Sequence, residues 1–196
     1  MPLGLSMSLA LLVSYLLGSV SFGIVVANMR GVDIRSTGSN NPGASNVLRV
    51  LGKRDAALVL LGDGLKGAAA AWIGAAVGGP EFGYVALLVA VVGHTFPVWY
   101  QFNGGKSVAT ALGGILYLAP FIGFALAVAW LVVVVVGKRA SLGSIAVMVT
   151  LVPALWLAGR SSGALLVAAT IAVFVVVRHR DNIGRLLRSS EQKVNE

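Results

Sequence analysis

Long apolar stretches alternate with short polar ones along nearly the whole chain. A membrane-spanning helix needs about 20 mostly apolar residues, and several of the stretches approach or reach that length. The pattern predicts seven apolar helices, at residues 3–29, 56–77, 82–100, 107–117, 119–136, 141–158 and 163–177. We therefore predict an all-α membrane protein with a single domain, residues 1–196, whose seven helices are transmembrane or membrane-embedded. A basic, polar tail follows at residues 178–196.

The apolar run from Val108 to Val136 is interrupted by glycines and by Pro120. Basic loops collect on the cytoplasmic side of a membrane. A single crossing would place Lys138 on the opposite side from Lys106, so the run is predicted to turn between Gly113 and Pro120. The N-terminus then lies outside, and the C-terminal tail is cytoplasmic. This topology puts every Lys and Arg on the cytoplasmic side except Arg160 and Lys66.

The composition agrees with a polytopic membrane protein. The chain is 57% hydrophobic and 11% charged, with a mean hydropathy of +0.88, whereas a soluble domain has about 25% charged residues. It has no cysteine and two histidines, so no disulfide, no metal centre and no cofactor are predicted. The net charge of +8 fits positive-inside loops and contact with membrane lipid, and no soluble basic module is left to bind nucleic acid. Residues 3–28 lack a basic leader and a clear cleavage site, which favours a retained helix over a signal peptide.

The first polar stretch, Arg30–Asp55, is the most informative part of the sequence. It carries five cations around a run rich in Gly, Ser and Asn, residues 36–46. Turns built from Gly and Asn direct successive N–H groups inward and bind anions. A flanking arginine can hold a phosphate through two hydrogen bonds. We predict that this loop holds a phosphate at the membrane surface.

Three further loops on the predicted cytoplasmic side repeat this chemistry, near Lys106, Ser141 and His179. Helices begin at several of these loops, and a helix N-terminus attracts phosphate. Gly104-Gly105-Lys106-Ser107 is similar to the end of a nucleotide-binding P-loop, but Tyr100 stands where that motif needs glycine. We therefore exclude a P-loop and keep Lys106 as a phosphate contact. Topological anchoring alone would account for several cations, among them Arg30, Lys53, Arg54, Lys138 and Arg188.

Ionisable residues also lie within the apolar stretches. Asp63 and Lys66 share one helical face inside a predicted span, and charges there are costly and usually functional. The alternative is an ion pair that takes no part in a site. His179, beside Asn182 and several cations, is the stronger histidine for chemistry, although it could simply end its helix. His94 precedes Phe96-Pro97 and is interpreted as a residue that caps or orients that turn.

Taken together, these motifs make the chain resemble the bacterial membrane acyl-phosphate:glycerol-3-phosphate acyltransferases of the PlsY type. The resemblance covers residues 18–191 in the family's order. Its motifs begin at Gly18, Asp33, Gly38, Asp63, Gly93, Phe102, Ser141 and His179, and the last ends at Glu191. The chain departs from the family at Ser107 and Ser190, where glycine is usual. The first departure could alter the backbone at the site.

The resemblance implies transfer of a fatty acyl group from acyl phosphate to the 1-hydroxyl of sn-glycerol 3-phosphate. It implies a soluble phosphate:acyl-ACP acyltransferase that supplies the acyl phosphate, and a site facing the cytoplasm of a bacterial inner membrane. The catalytic residues carried over are His179, Ser39, Arg49 and Asn182. The residues expected to bind substrate phosphates are Ser39, Asn41, Asn46, Arg49, Gly104, Gly105, Lys106, Ser141, His179 and Asn182, with Asp63 and Lys66 lining or bracing the pocket.

Some alternatives stay open at this point. Either His179 or a substrate phosphate can act as the general base. A transporter or channel for an anionic small molecule would also use a basic rim with Asp63 and Lys66, and it predicts uptake into sealed vesicles without chemical conversion. A purely structural membrane partner of another enzyme is a third reading, which leaves the loops rich in Asn, Gly and Ser unexplained.

Overall fold

The computed structural model describes residues 2–194, and the regular structure in that range is entirely helical. The helices are α1 Leu3–Ser19, α2 Phe22–Met29, α3 Ala44–Leu51, α4 Lys53–Thr95, α5 Val108–Leu118, α6 Pro120–Gly137, α7 Ala140–Leu157, α8 Ser162–Arg178 and α9 Arg180–Leu187, with a short 3₁₀ turn at Val98–Tyr100. The all-α class predicted from the apolar pattern is confirmed.

The first predicted helix is interrupted. α1 ends at Ser19 and α2 begins at Phe22, because Val20 and Ser21 adopt extended backbone angles. The break leaves the carbonyl of Val20 without a helical partner, and the ammonium group of Lys66 donates a hydrogen bond to it. Nothing in the apolar pattern signals this break, since both residues are compatible with a helix.

The predicted turn after residue 77 lies inside the long helix α4. Gly78 and Gly79 leave helical geometry, and Gly79 has φ +81°, a conformation that favours glycine. Pro80 then starts the second arm. The two arms fold back on each other, with Gly74 against Ala86. The second arm ends at Thr95, short of the predicted end at residue 100.

The predicted break within residues 108–136 is present. α5 ends at Leu118, Ala119 leaves helical geometry, and Pro120 opens α6 at a position that tolerates proline. Gly123 packs against the backbone of Leu116, so that α6 returns along α5. The basic end of α6 therefore lies near the start of α5.

Glycines bring α4 and α5 into backbone contact. Gly113 lies on the backbone of Gly64, and Gly67 lies on that of Thr110, so closely that a Cβ at either glycine would overlap its neighbour. Such close approach between small residues is typical of helices packed in membranes. It places the loop before α5 directly beside the polar face of α4.

Four apolar helical stretches are long enough to cross a membrane: Leu3–Met29, Lys53–Tyr100, Pro120–Gly137 and Ala140–Leu157. The bent pair Ser162–Arg178 and Arg180–Leu187 gives a fifth if it is counted as one span. Large apolar side chains on the outside, such as Phe121 at 91% exposure, suit contact with lipid. The number of crossings and the orientation of the termini remain predictions.

Candidate active site

A cavity of about 440 Å³ opens among α3, α4, α5, α6, α7 and α9. Its lining divides into polar and apolar residues. The polar residues, which define what we call the polar end, are Ser39, Asn41, Asn46, Arg49, Asp63, His94, Lys106, Ser141, His179, Asn182, Arg185 and Glu191. Most of the residues predicted from sequence to bind phosphate thus line one cavity, although they come from loops up to about 140 positions apart in the chain.

The first polar loop is organised by Asn46. Its side-chain oxygen accepts a hydrogen bond from the N–H of Ser39 at 2.9 Å, and its amide donates to the carbonyl of Thr37 at 2.9 Å. Gly38, at φ +65°, packs so closely on Asn46 that a Cβ there would overlap its amide. Asn46 therefore fixes the backbone that presents Ser39. The side-chain oxygen of Asn41 is buried and has no hydrogen-bond partner among the described residues.

Arg49 is held at the cavity by the C-terminal tail. Its Nε donates to the carbonyl of Lys193 at 2.9 Å, and a second guanidinium nitrogen reaches the carbonyl of Gln192 at 3.4 Å. The tail is itself tied down, because the N–H of Val194 donates to the carbonyl of Lys138 at 2.8 Å. The backbone of residues 192–194, which was predicted only as part of a basic, polar tail, therefore anchors Arg49 at the cavity.

The glycines of the second loop are used for packing. The N–H of Gly104 donates to the carbonyl of Thr95, and that of Gly105 donates to the carbonyl of His94, both at 3.1 Å. Neither glycine lines the cavity. Gly104 and Gly105 therefore have no free N–H group to donate to the predicted phosphate, because both N–H groups already donate to carbonyls at the end of α4.

Lys106 follows these glycines at the start of α5. Its ammonium group donates to the side-chain oxygen of Asn182. Burial, together with the charge of Arg185, lowers the pKa of Lys106 to about 8. The first N–H groups of α5, which have no partner within the helix, begin at the same place. A cation and a helix N-terminus thus meet at one point of the cavity.

Ser107, between Lys106 and α5, has φ +63°, which is strained for any residue except glycine. Its hydroxyl lies 2.7 Å from that of Thr95 and donates to the carbonyl of Val91 at 2.8 Å. These bonds offset the strain and attach the loop to α4. They show how a serine is accommodated at a left-handed backbone position that favours glycine.

Ser107→Gly is expected to be more stable than Ser107→Ala by about 1 kcal/mol, because both lose the hydroxyl but only glycine relieves the left-handed backbone. The midpoint of thermal unfolding in detergent measures the difference, which should be about 2–4 °C. Equal midpoints for the two variants would mean that the backbone at this position relaxes without cost.

Side chains from α7 and α9 converge on Glu191 in the tail. Its Oε1 accepts hydrogen bonds from the hydroxyl of Ser141 at 2.8 Å and the amide of Asn182 at 2.6 Å, while its Oε2 accepts from Arg185 at 2.7 Å. Burial alone would raise the pKa of Glu191, but these hydrogen bonds outweigh it and lower the pKa below its usual value. Glu191 thus orders two of the predicted phosphate ligands.

His179 lies just after the end of α8 and is buried. Its Nδ1 is 2.8 Å from the carbonyl of Val175. A carbonyl can only accept, so Nδ1 carries the proton and Nε2 keeps its lone pair. Burial lowers the pKa of His179 to about 4, so the ring is neutral near pH 7.

Asp63, Lys66 and His94 form a buried cluster that joins both arms of α4. The ammonium of Lys66 lies 2.8 Å from the carboxylate of Asp63 and 2.7 Å from Nδ1 of His94. Asp63 and His94 line the cavity, whereas Lys66 lies behind them. The predicted charge pair is therefore present, and it includes a histidine whose sequence neighbours indicated only a turn.

Three polar residues of the cavity, His94, Arg185 and Glu191, were not among the predicted site residues. All three lie within the motifs that carry the family resemblance, and those motifs were the signal that could have found them. Nothing in the sequence pairs His94 with Asp63, because their contact depends on the bend at Gly79. The apolar half of the cavity was also predicted only in general terms, as a space between helices.

Comparison with known proteins identifies the family. The family model for glycerol-3-phosphate acyltransferase matches residues 8–189. The chain belongs to the glycerol-3-phosphate acyltransferase family. It is 44% identical over 196 residues to the glycerol-3-phosphate acyltransferase of Sinorhizobium medicae, covering 99% of this chain and 96% of that protein. A homologue of the same name from a Synechococcus species is 43% identical, with 100% and 97% covered.

The fold agrees with solved members of the family. The crystal structure of PlsY (YgiH), an integral membrane glycerol 3-phosphate acyltransferase, in its glycerol 3-phosphate form superposes with a TM-score of 0.92 at 38% identity, covering 96% of this chain and 95% of that one. Its lysophosphatidic acid form gives a TM-score of 0.90 at 37% identity, with the same shares covered. The chain is thus a multi-pass membrane acyltransferase of phospholipid synthesis.

Proposed function

We propose that this enzyme transfers a fatty acyl group from acyl phosphate to the 1-hydroxyl of sn-glycerol 3-phosphate. The products are 1-acyl-glycerol 3-phosphate (lysophosphatidic acid) and phosphate. The observation that carries the proposal is the division of one cavity into a polar end, with three cations from separate elements, and an apolar end. Two phosphates, one with a long acyl tail, fit that division. The PlsY structures with glycerol 3-phosphate and with lysophosphatidic acid support it.

The polar end holds the two phosphates in the proposed complex. Arg49, Lys106 and Arg185 supply charge, and the N-terminus of α5 adds free N–H groups. Ser39 and Asn41 from the first loop, with Ser141, His179 and Asn182 from later elements, complete this end in the roles that the family resemblance implies. Fixed donors of this kind lower the barrier by positioning the reactants and by stabilising developing charge.

The apolar end provides a groove for the acyl chain. α5 presents Ala109, Leu112, Gly113 and Leu116, which recur at helical spacing along one face, and α6 presents Ala127, Trp130 and Leu131. The face of α5 from residue 109 to 116 is about 10 Å long. We propose that the groove holds the part of the acyl chain next to the carbonyl, and that the rest extends into lipid.

Ala127→Phe is expected to shift the enzyme towards short-chain acyl phosphates. The new ring enters the groove, and forcing a bulky group into a filled site costs about 1–3 kcal/mol, so kcat/KM for a long-chain donor should fall about tenfold. Val128→Phe is the matched control, because Val128 faces outward and does not line the cavity. An unchanged chain-length profile for Ala127→Phe would place the acyl chain elsewhere.

The reaction needs a proton acceptor but no acyl-enzyme intermediate. The 1-hydroxyl oxygen forms a bond to the acyl carbonyl carbon, the carbon–oxygen bond to phosphate breaks, and phosphate leaves with the electron pair. The hydroxyl proton must pass to a base. His179 is a weak base because its pKa is about 4, whereas a phosphate monoester has a second pKa of about 6. We therefore propose that a substrate phosphate accepts the proton, and that Nε2 of His179 accepts a hydrogen bond from a glycerol hydroxyl and so orients the glycerol 3-phosphate.

Replacing glycerol 3-phosphate by its phosphonate analogue tests this assignment. A phosphonate has a higher second pKa, so the acidic limb of the kcat profile is expected to move to higher pH with the analogue. His179→Gln should lower kcat but leave the position of that limb unchanged. A limb that disappears in His179→Gln and ignores the analogue would make His179 the base.

The proposed donor is tested directly with the purified enzyme. Acyl phosphate and radiolabelled glycerol 3-phosphate should yield labelled lysophosphatidic acid, whereas acyl-CoA and acyl carrier protein should yield none in the absence of the soluble phosphate:acyl-ACP acyltransferase. Uptake of label into sealed vesicles without conversion would indicate a transporter. Product formed from acyl-CoA alone would overturn the choice of donor.

We further propose that the site faces the cytoplasm of a bacterial inner membrane, with seven membrane-embedded helices, the N-terminus outside and the tail inside. The grouping of basic residues at the cavity mouth supports this orientation. A single cysteine introduced at Lys138 should react with an impermeant reagent from the cytoplasmic side. Reaction only from the periplasmic side would place residue 138 outside the cell. It would contradict the topology in which residues 108–136 cross the membrane and return.

A further inference from the structure

His94 lies in the cavity wall, and only one of its two ring nitrogens has a hydrogen-bond partner among the described residues. Nδ1 faces Lys66 at 2.7 Å, and the carboxylate of Asp63 is further away, at 3.5 Å. For Nε2 the structure gives no hydrogen-bond partner among residues 2–194. Gly105 lies against this edge of the ring, and a Cβ at Gly105 would overlap Nε2. Lys66 therefore holds the ring at Nδ1, while its Nε2 edge packs against Gly105 in the wall of the cavity.

The partners of Lys66 determine where the imidazole proton lies. An ammonium group has three N–H donors and accepts nothing. The ammonium of Lys66 donates to the carbonyl of Val20, and it lies 2.8 Å from the carboxylate of Asp63 and 2.7 Å from Nδ1 of His94. Nδ1 must then be the acceptor, because two donors cannot face each other. A neutral His94 consequently carries its proton on Nε2.

We propose that His94 is a further substrate-contacting residue, a neutral imidazole whose Nε2–H donates a hydrogen bond to a phosphoryl oxygen bound beside Lys106. The Asp63–Lys66 pair acts as a positioning device that selects this tautomer. Fixed donors aimed at substrate oxygens need no reorganisation when charge develops, which is their catalytic advantage. The inference rests on the proposed use of the polar end as the phosphate site.

The two histidines then have opposite tautomers and opposite roles. The carbonyl of Val175 places the proton of His179 on Nδ1 and leaves Nε2 as an acceptor. The ammonium of Lys66 places the proton of His94 on Nε2 and makes it a donor. A histidine that only braces the two arms of α4 would satisfy the contacts with Lys66 equally well, but its Nε2–H would not respond to substrate.

Nitrogen-15 NMR of the imidazole rings tests the tautomer in the unsubstituted protein. The chain has only two histidines, so ring labelling gives two sets of resonances, and His179→Gln assigns them. We expect one ring protonated at Nδ1 and the other, His94, at Nε2. Saturation with inorganic phosphate, glycerol 3-phosphate or lysophosphatidic acid should shift the Nε2–H resonance of His94. An Nδ1–H tautomer for His94, or no shift with any of the three probes, would overturn the proposal.

Activity of two His94 variants supplies the functional test. Glutamine can place an N–H close to the position of Nε2, whereas phenylalanine fills the space without a donor. We expect His94→Phe to lose about 100-fold in kcat and His94→Gln to keep activity within about tenfold of the unsubstituted enzyme. Equal losses in the two variants, or full activity in His94→Phe, would reject the donor role.

The two tests separate this proposal from the proposed reaction. Absence of lysophosphatidic acid with the unsubstituted enzyme would reject the reaction, whatever the tautomer. Product formation together with a His94 resonance that ignores all three probes would reject only the donor role. If both His94 variants fail to fold, the NMR measurement on the unsubstituted chain still decides the question.

Discussion

Lys106→Met is expected to lower kcat/KM for glycerol 3-phosphate by about 100- to 1000-fold, the cost of removing one preorganised donor from an active site. Lys106 meets the N-terminus of α5 and the side chain of Asn182 at one point of the cavity. No other cation lines the cavity from the loop between α4 and α5. Its loss therefore removes one of the three cations where the proposed phosphates bind, and the one that lies at the N-terminus of α5.

The lowered pKa of Lys106 predicts that activity is lost at alkaline pH. Burial lowers its pKa to about 8, so the charge is present below that pH and is lost as the pH rises through it. A profile of kcat/KM reports groups of the free enzyme. We expect kcat/KM to fall above about pH 8 in the unsubstituted enzyme. In Lys106→Arg the fall should disappear, because guanidinium stays protonated.

Lys53→Ala is the matched control for Lys106. Lys53 is an exposed lysine at the first turn of α4 and does not line the cavity. Its removal should change kcat/KM by less than about twofold, as expected for an exposed charge worth 0–1 kcal/mol. A loss in Lys53→Ala as large as that in Lys106→Met would mean that general surface charge, and not the cavity, draws the substrate.

The sequence predicted those parts of the fold that local patterns determine. The break before Pro120 followed from charge placement and from proline chemistry, and the turn at Gly79 followed from a cluster of turn residues. The candidate phosphate-binding loops were noticed because Gly, Ser, Asn and a cation recur together in an otherwise apolar chain, and the family resemblance then named the residues. Each of these signals lies within a few residues of the feature that it determines.

What could not be predicted depends on contacts between distant segments. The break at Val20 is compensated by Lys66, which is 46 positions away. Arg49 contacts the tail across more than 140 positions. The N–H groups of Gly104 and Gly105, which the sequence suggests are free, donate hydrogen bonds to carbonyls at the end of α4. Chemistry that is local in the sequence was therefore recognised, whereas the contacts that hold these residues in place were seen only in the structure.

Lys66→Met is expected to give the largest loss of stability. Removing one partner of a buried ion pair leaves an uncompensated charge, which typically costs about 3–5 kcal/mol. Asp63 and Lys66 are 2% and 5% exposed, so water cannot replace the lost contact. The carbonyl of Val20 at the break between α1 and α2 would also lose its donor. The midpoint of thermal unfolding in detergent should fall by about 10 °C.

The double variant Asp63→Asn/Lys66→Met separates the charge from the packing. It leaves no unpaired ion, so most of the lost stability should return, because replacing a buried pair by neutral groups is often nearly neutral. Activity is not expected to return with it, since nothing then directs the proton of His94 to Nε2. A double variant as unstable as Lys66→Met would show that Lys66 stabilises the fold mainly through Val20. One that regains full activity would show that the ion pair has no part in the reaction.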